Sequence, residues 1–240
     1  MKILDDVIDS LPHRDTKVRE IHVCAHWTAV LSGHCGLAST VKEEDHPHKG
    51  VRDVGQLTKK NAFELALYSR SNHLLEASIG MAAVNSLIDV DESRCIEANA
   101  YEILLEKGGG KNVAIVGHFP FISMLKDSAK KLWVIEKRPS EGDLPEEAAE
   151  EILPQCDVVG ITGTTFVNHT LEDLLGQCKG SFVALIGPTA PLTPVLFDYG
   201  IDVISGSKVV EIQKVIRFIS QGATFKELHH HGVKLLTMMR

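Results

Sequence analysis

No apolar run in this 240-residue chain approaches the roughly 20 residues that a membrane-spanning helix needs. Cysteine is sparse: Cys24, Cys35, Cys95, Cys156 and Cys178 are odd in number, widely scattered and never spaced C-x-x-C. That argues against a disulfide framework or a structural zinc knuckle and fits reduced thiols. The chain has no G-x-S-x-G, no H-E-x-x-H and no G-x-x-x-x-G-K-[ST], so no nucleophile elbow, zinc-protease helix or P-loop is written into it. Positive charge is also short. A net charge of −7 disfavours nonspecific nucleic-acid binding and attraction to anionic membranes. The opening MKILDDVIDS carries acids where a secretion signal needs an apolar core, which predicts a cytoplasmic home.

What is present is the balance of a globular protein, 44% hydrophobic and 24% charged, in a chain long enough for a sizeable core. Residues 1–10 predict a short amphipathic helix with Ile3, Leu4, Val7 and Ile8 on one face. Alternation over 18–31 predicts a strand, with 28–40 as its hairpin partner turning near Ser32-Gly33. Helices are expected over 57–69 and 74–88, the second apolar nearly all round and rich in small residues. From residue 91 the pattern changes. A helix over 93–107 precedes short apolar strands at 113–116, 132–136, 158–162, 182–186 and 203–205, with an acidic helix at 144–153 and another at 206–220. Residues 233–239 fit a strand or a helix. Alternating strands and helices imply crossovers and a mostly parallel sheet. The expected architecture is therefore α/β: a small α+β domain over 1–91, then a larger domain over 92–240.

Residues 111–129, KNVAIVGHFPFISMLKDSA, organise the rest. A buried strand breaks at Gly117, and Pro120 suits the first position of a helix. Strand, glycine turn and helix start together predict a corner that binds phosphate or carboxylate. In open α/β sheets ligands lie beyond the carboxyl ends of the strands. The five ends carry Gly117-His118, Glu136, Thr164-Thr165 followed by Asn168, Gly187 with Thr189, and Ser205-Gly206-Ser207. Glu136, 19 residues after Gly117, occupies the offset at which dinucleotide folds bond ribose hydroxyls, although the G-x-G-x-x-G fingerprint is absent. His118 is either an anion holder and proton shuttle or a turn residue bonded to backbone. Asn168 is either a helix cap or a ligand contact. Gly36 and Asn85 are expected to face the cleft from the first domain.

His22, Cys24 and His26 form the one metal-like spacing: on a strand they share a face, as soft or borderline donors for zinc, copper or nickel. Along a strand, however, they spread over about 13 Å, unless His34-Cys35 on the hairpin partner joins them. The clusters His46-Pro47-His48 and His229-His230-His231 read as solvated.

Five pieces in this order resemble the "putative heavy-metal chelation" family of bacterial and archaeal proteins: GLA at 36–38, EASIGMAAVN at 76–85, VGHFPF at 116–121, ITGTT at 161–165 and GPTAPLTP at 187–194. The resemblance spans nearly the whole chain. It implies an enolase N-terminal-like domain followed by a Rossmann-like domain, a cleft between them and a metal-related role. The expected function is binding of a small anionic or metal-complexed ligand in that cleft, with a divalent heavy metal as the implied cofactor or cargo. The alternative is an enzyme holding a nucleotide or S-adenosyl compound on the Gly117 turn and Glu136. Partners are then a small molecule or metal chelate, with no nucleic acid and no membrane. The apolar sheet face and small-residue helix permit a homodimer.

Overall fold

The computed structural model describes residues 1–12, 15–43 and 49–240. The first helix, α1 (Lys2–Asp9), buries Ile3, Leu4, Val7 and Ile8, the face its spacing predicts. Three antiparallel strands follow: β1 (Glu20–Val23), β2 (Trp27–Leu31) and β3 (Cys35–Ser39). The single strand expected over 18–31 is in fact two. The Cys24 N–H donates to the Trp27 carbonyl, and the chain reverses there, pairing Glu20 with Leu31 through Val23 with Thr28. Cys24-Ala25-His26 holds no glycine, proline or asparagine to mark that turn. The second reversal falls at Ser32-Gly33 as expected, with Leu31 opposite Cys35.

After the short helix α2 (Ala62–Ala66), whose capping box joins Asn61 and Glu64, comes α3 (Leu74–Leu87), buried on nearly every side. The expected helix over 57–69 is broken into α2 and flanking single turns. Helix α3 packs so closely under β3 that a Cβ at Gly36 would sit 2.1 Å from the Ala82 carbonyl oxygen. Only glycine fits there.

The larger sheet comprises β4 (Cys95–Ile96), β5 (Asn112–Val116), β6 (Lys131–Glu136), β7 (Leu144–Pro145), β8 (Val158–Thr162), β9 (Phe182–Ile186), β10 (Val203–Val209) and β11 (Val233–Met239). Its order is β4-β11-β10-β9-β8-β5-β6-β7. The run β6-β5-β8-β9-β10 is parallel, the 2-1-3-4-5 order of one doubly wound sheet type. Alternate residues of β5 feed two cores. Val113 and Ile115 pack with α4 (Ala100–Gly108) and α5 (Ile122–Ser128), whereas Ala114 faces the core shared with α6 (Ala149–Ile152) and α7 (Leu171–Gln177). Burial on both faces explains why these strands read as unbroken apolar runs.

Several expected boundaries move. The helix over 93–107 starts only at Ala100, capped by Asn99, because residues 95–96 pair with β11. The acidic stretch 144–153 gives strand β7 and short turns around α6. Strand β10 runs past Gly206 to Val209, so the last helix over that region, α8, is Ile212–Ser220. Gly206 signals close packing rather than a break: its Cβ would lie 2.7 Å from Leu192. Residues 233–239 form a strand antiparallel to β10.

The two sheets lie on either side of residue 91, yet the core does not divide there. Residues from α1 and α3 share one cluster with Val159, Ile161 and Leu185. The outer face of the three-stranded sheet, Trp27, Ala29, Leu31 and Leu37, is covered by α8 and by α9 (Phe225–His230). That sheet is thus sandwiched between α3 and the C-terminal helices, which is why all five residues of β2 are buried.

Candidate functional site

The carboxyl ends of β5, β6, β8, β9 and β10 open into two adjoining hollows of about 630 Å³ and 1040 Å³. Gly117, His118, Glu136, Thr162 and Thr164 line both. The shared edge lies between β5 and β8, where strand order reverses and doubly wound sheets hold their ligands. Gly117 has φ +105°, and a Cβ there would come within 2.9 Å of the Thr162 side chain; the turn admits no larger residue without strain. Thr162 Oγ1 accepts the Thr164 N–H at 3.4 Å and lies 3.1 Å from Thr164 Oγ1, ordering the loop after β8.

The helix expected at Pro120 begins two residues later, at Ile122, and is seven residues long. The strand end therefore meets a longer turn instead of a helix dipole. In that turn the rings of Phe119 and Phe121 stack 5.1 Å apart, and Tyr101 stacks on Phe121 at 6.2 Å. Trp27 and Phe225, 5.8 Å apart, complete an aromatic wall around the smaller hollow. Trp27 is held there by its indole N–H, which donates to the Ala223 carbonyl at 2.9 Å.

The larger hollow is polar at its rim, where Glu43, Glu136, Glu146, Glu147, Glu150 and Asp173 outnumber Lys42, Lys137 and Arg138. Lys137 pairs with Glu146 at 3.2 Å, and the Glu136 carboxylate accepts the Lys137 N–H at 2.9 Å.

The residues singled out from sequence separate into three groups. Gly117, His118, Glu136, Thr164 and Gly187 line the hollows. Thr165 and Asn168 border the larger one, with the Thr165 hydroxyl and the Asn168 amide oxygen committed to local structure. The Thr165 hydroxyl donates to the Thr162 carbonyl at 2.6 Å, and Asn168 Oδ1 accepts from the Thr170 hydroxyl at 2.8 Å. The third group is a seam between the sheets. Thr189, 1% exposed, borders the aromatic hollow; its Oγ1 accepts the Ser39 N–H at 2.9 Å. The Asn85 amide donates to the carbonyls of Leu37, Pro188 and Thr189 at 2.8, 3.1 and 3.3 Å. Gly36 does not face the cleft: its open side is filled by the backbone of α3.

The metal-like trio does not assemble. The turn at Cys24–His26 carries its members off a common strand face, and His22 Nε2 is engaged by Glu20 at 2.8 Å. Among the described residues, no three His, Cys, Asp or Glu side chains come together in a way that could hold an ion. His46 and His48 lie outside the described residues. Burial pushes the Cys35 and Cys178 thiols up to about 12 and Cys156 up to about 11, so none offers a thiolate at neutral pH. Of the C-terminal histidines, His229 and His230 are exposed, as expected, with His229 6.5 Å from Phe225, while half-buried His231 lies 4.5 Å from Phe218. His229 and His230 border the aromatic hollow.

Sequence reasoning missed Asp143, whose Oδ2 lies 3.4 Å from His118 Nδ1, and the aromatic wall. The wall comes from β2, α4, the turn after β5 and α9, and no local pattern links such distant segments.

Residues 99–238 match the DUF364 family model and residues 4–88 the DUF4213 model, both described as "Putative heavy-metal chelation". An uncharacterized protein of Methanocaldococcus jannaschii is 33% identical over 204 residues, 80% of this chain and 77% of that one. A DUF364 protein of unknown function from Desulfitobacterium hafniense superposes with a TM-score of 0.88 at 29% identity, over 100% of this chain and 98% of the other. One from Pyrococcus horikoshii shares the fold, with a TM-score of 0.81 at 20% identity over 100% and 98% of the two chains. The chain belongs to the DUF364 family, preceded over residues 4–88 by the DUF4213 segment.

Proposed function

We propose that the cleft binds a small organic metal chelate as a preassembled complex. The observation that carries this reading is the contrast between two hollows meeting along one edge. An aromatic hollow of about 630 Å³ suits an organic frame, and an acid-rimmed one of about 1040 Å³ suits a positively charged metal end. The family description points to heavy metal, while the described residues offer no three-donor cluster for a bare ion. A metal arriving with its own ligand reconciles the two. The 2-1-3-4-5 order supports a Rossmann-like reading of the larger sheet, and the separate sheets on either side of residue 91, packed on one shared core, support a two-part chain, 1–91 and 92–240. Native mass spectrometry with metal analysis of untagged protein tests the reading. A retained metal-plus-organic mass is expected; a cleft that binds no chelate under any loading condition refutes it.

A second reading is favoured by Gly117 and Glu136 meeting at the switch point, where a nucleoside ligand is held in related topologies. On that reading the chain is an enzyme using a nucleotide or S-adenosyl cofactor. Such a ligand stabilises the native state and raises the melting temperature, and Glu136→Ala removes the effect. If no nucleotide or S-adenosyl compound shifts the transition, this reading falls.

A further inference from the structure

We infer that His118 is a proton acceptor for the cleft's ligand and that Asp143 is its positioning residue, which makes the cleft a place of chemistry as well as of binding. The inference rests on a ligand occupying the cleft, as proposed above, but its geometry stands separately. The Asp143 side chain is 7% exposed and that of His118 56%. Asp143 is fixed in a closed turn: Oδ2 accepts the Ser140 N–H at 3.0 Å, and its own N–H donates to the Ser140 carbonyl at 3.0 Å. The same Oδ2 lies 3.4 Å from His118 Nδ1. This is a loose contact of the kind that tightens once a ligand is bound.

A carboxylate beside Nδ1 keeps the proton on that nitrogen. Nε2 then holds a free lone pair, on a ring that borders both hollows. The step follows directly. Nε2 takes a proton from an O–H, N–H or activated C–H of the ligand, and the bonding electron pair stays on the ligand. The imidazolium formed is stabilised by Asp143 and later returns its proton to product or water. Thr162 and Thr164 share one hydroxyl proton between them at 3.1 Å, and the other hydroxyl proton, on the shared edge of the hollows, is left to steady the negative charge on the ligand.

Two measurements on the full chain decide the matter. Nitrogen-15 NMR of labelled histidine, at a pH where imidazoles are neutral, should show His118 protonated on Nδ1. In Asp143→Ala it should revert to the Nε2–H form that imidazole prefers in water. A wild-type Nε2–H form, or no change in the variant, overturns the inference; if the variant fails to fold, the wild-type spectrum still decides. The second probe is 5-nitrobenzisoxazole, a flat ring that opens when a base removes its C–H proton and the N–O bond breaks. His118→Gln and Asp143→Asn should each slow ring opening by about tenfold, below the roughly hundredfold or more of a general base on its own substrate because the probe is not the natural ligand. Equal rates in wild type and His118→Gln overturn the inference. Failure to find any chelate by mass spectrometry bears on the binding reading and leaves both measurements standing.

Discussion

Asn85 supports a prediction whose size follows from the structure. Its amide is the donor that ties the free edge of the three-stranded sheet, at Leu37, to the loop after β9, at Pro188 and Thr189. Two N–H groups serve three carbonyls, so two full bonds is the ceiling. At about 1 kcal/mol net each, Asn85→Ala costs about 2 kcal/mol, which lowers the melting temperature of a chain this size by about 4–8 °C. Asn85→Asp is the sharper perturbation. It keeps the shape but points carboxylate oxygens at carbonyl oxygens, so the lost bonds are joined by repulsion and an uncompensated, partly buried charge. The aspartate variant should therefore melt below the alanine variant at pH 7 and recover towards it as acid protonates the carboxyl. Thr189→Val removes the neighbouring stitch to Ser39, and because both residues hold one loop, the double variant should lose less than the sum. Differential scanning calorimetry reads the wild type and all four variants. If Asn85→Asp melts with the wild type, the amide is not closing the seam and the reasoning fails.

Gly36→Ala forces a methyl against the Ala82 carbonyl, 2.1 Å from where it must sit. It should cost about 3 kcal/mol, the upper end of the overpacking range, read as a lower urea midpoint; a wild-type midpoint refutes the close approach of β3 to α3. The raised pKa values of Cys35, Cys156 and Cys178, about 12, 11 and 12 against an ordinary 9.0, make the folded chain retain protons that the unfolded chain releases. Stability is therefore fully present below pH 9 and falls as pH climbs towards these values. Alkaline unfolding curves should show this fall, shallower in Cys178→Ala. The same burial predicts that iodoacetamide labels these three thiols far more slowly in native protein than in urea, by mass spectrometry of the labelled peptides. Thr164→Val, at the shared edge of the hollows, should weaken ligand retention in native mass spectrometry while leaving the melting temperature within about 2 °C, as expected of a half-buried site residue away from the core.

Much of the larger sheet was legible because its strands are buried on both faces. Val113–Val116 and its four counterparts announce themselves as apolar runs, and their carboxyl ends then mark where the hollows open. Glycine was the less faithful guide. At Gly117 it marks a left-handed turn, but at Gly206 and Gly36 it marks close packing, and reading Gly206 as a break displaced a helix by six residues. Asn85 and Gly36 came forward as cleft residues, yet their neighbours are backbone groups, because a seam between two sheets needs the same small and amide-bearing side chains as a ligand site. The aromatic wall and Asp143 were invisible for a different reason: their meaning lies in distances between segments up to two hundred residues apart, and no periodicity records that.

The covering of β2 by α8 and α9 also has a bearing on how the chain is made. The three strands that end at Ser39 leave the ribosome roughly 190 residues ahead of Leu228 and Val233, which complete their outer face. At about 5–20 residues per second, the nascent protein carries Trp27, Leu31 and Leu37 uncovered for some ten to forty seconds, an interval in which a chaperone has something to hold.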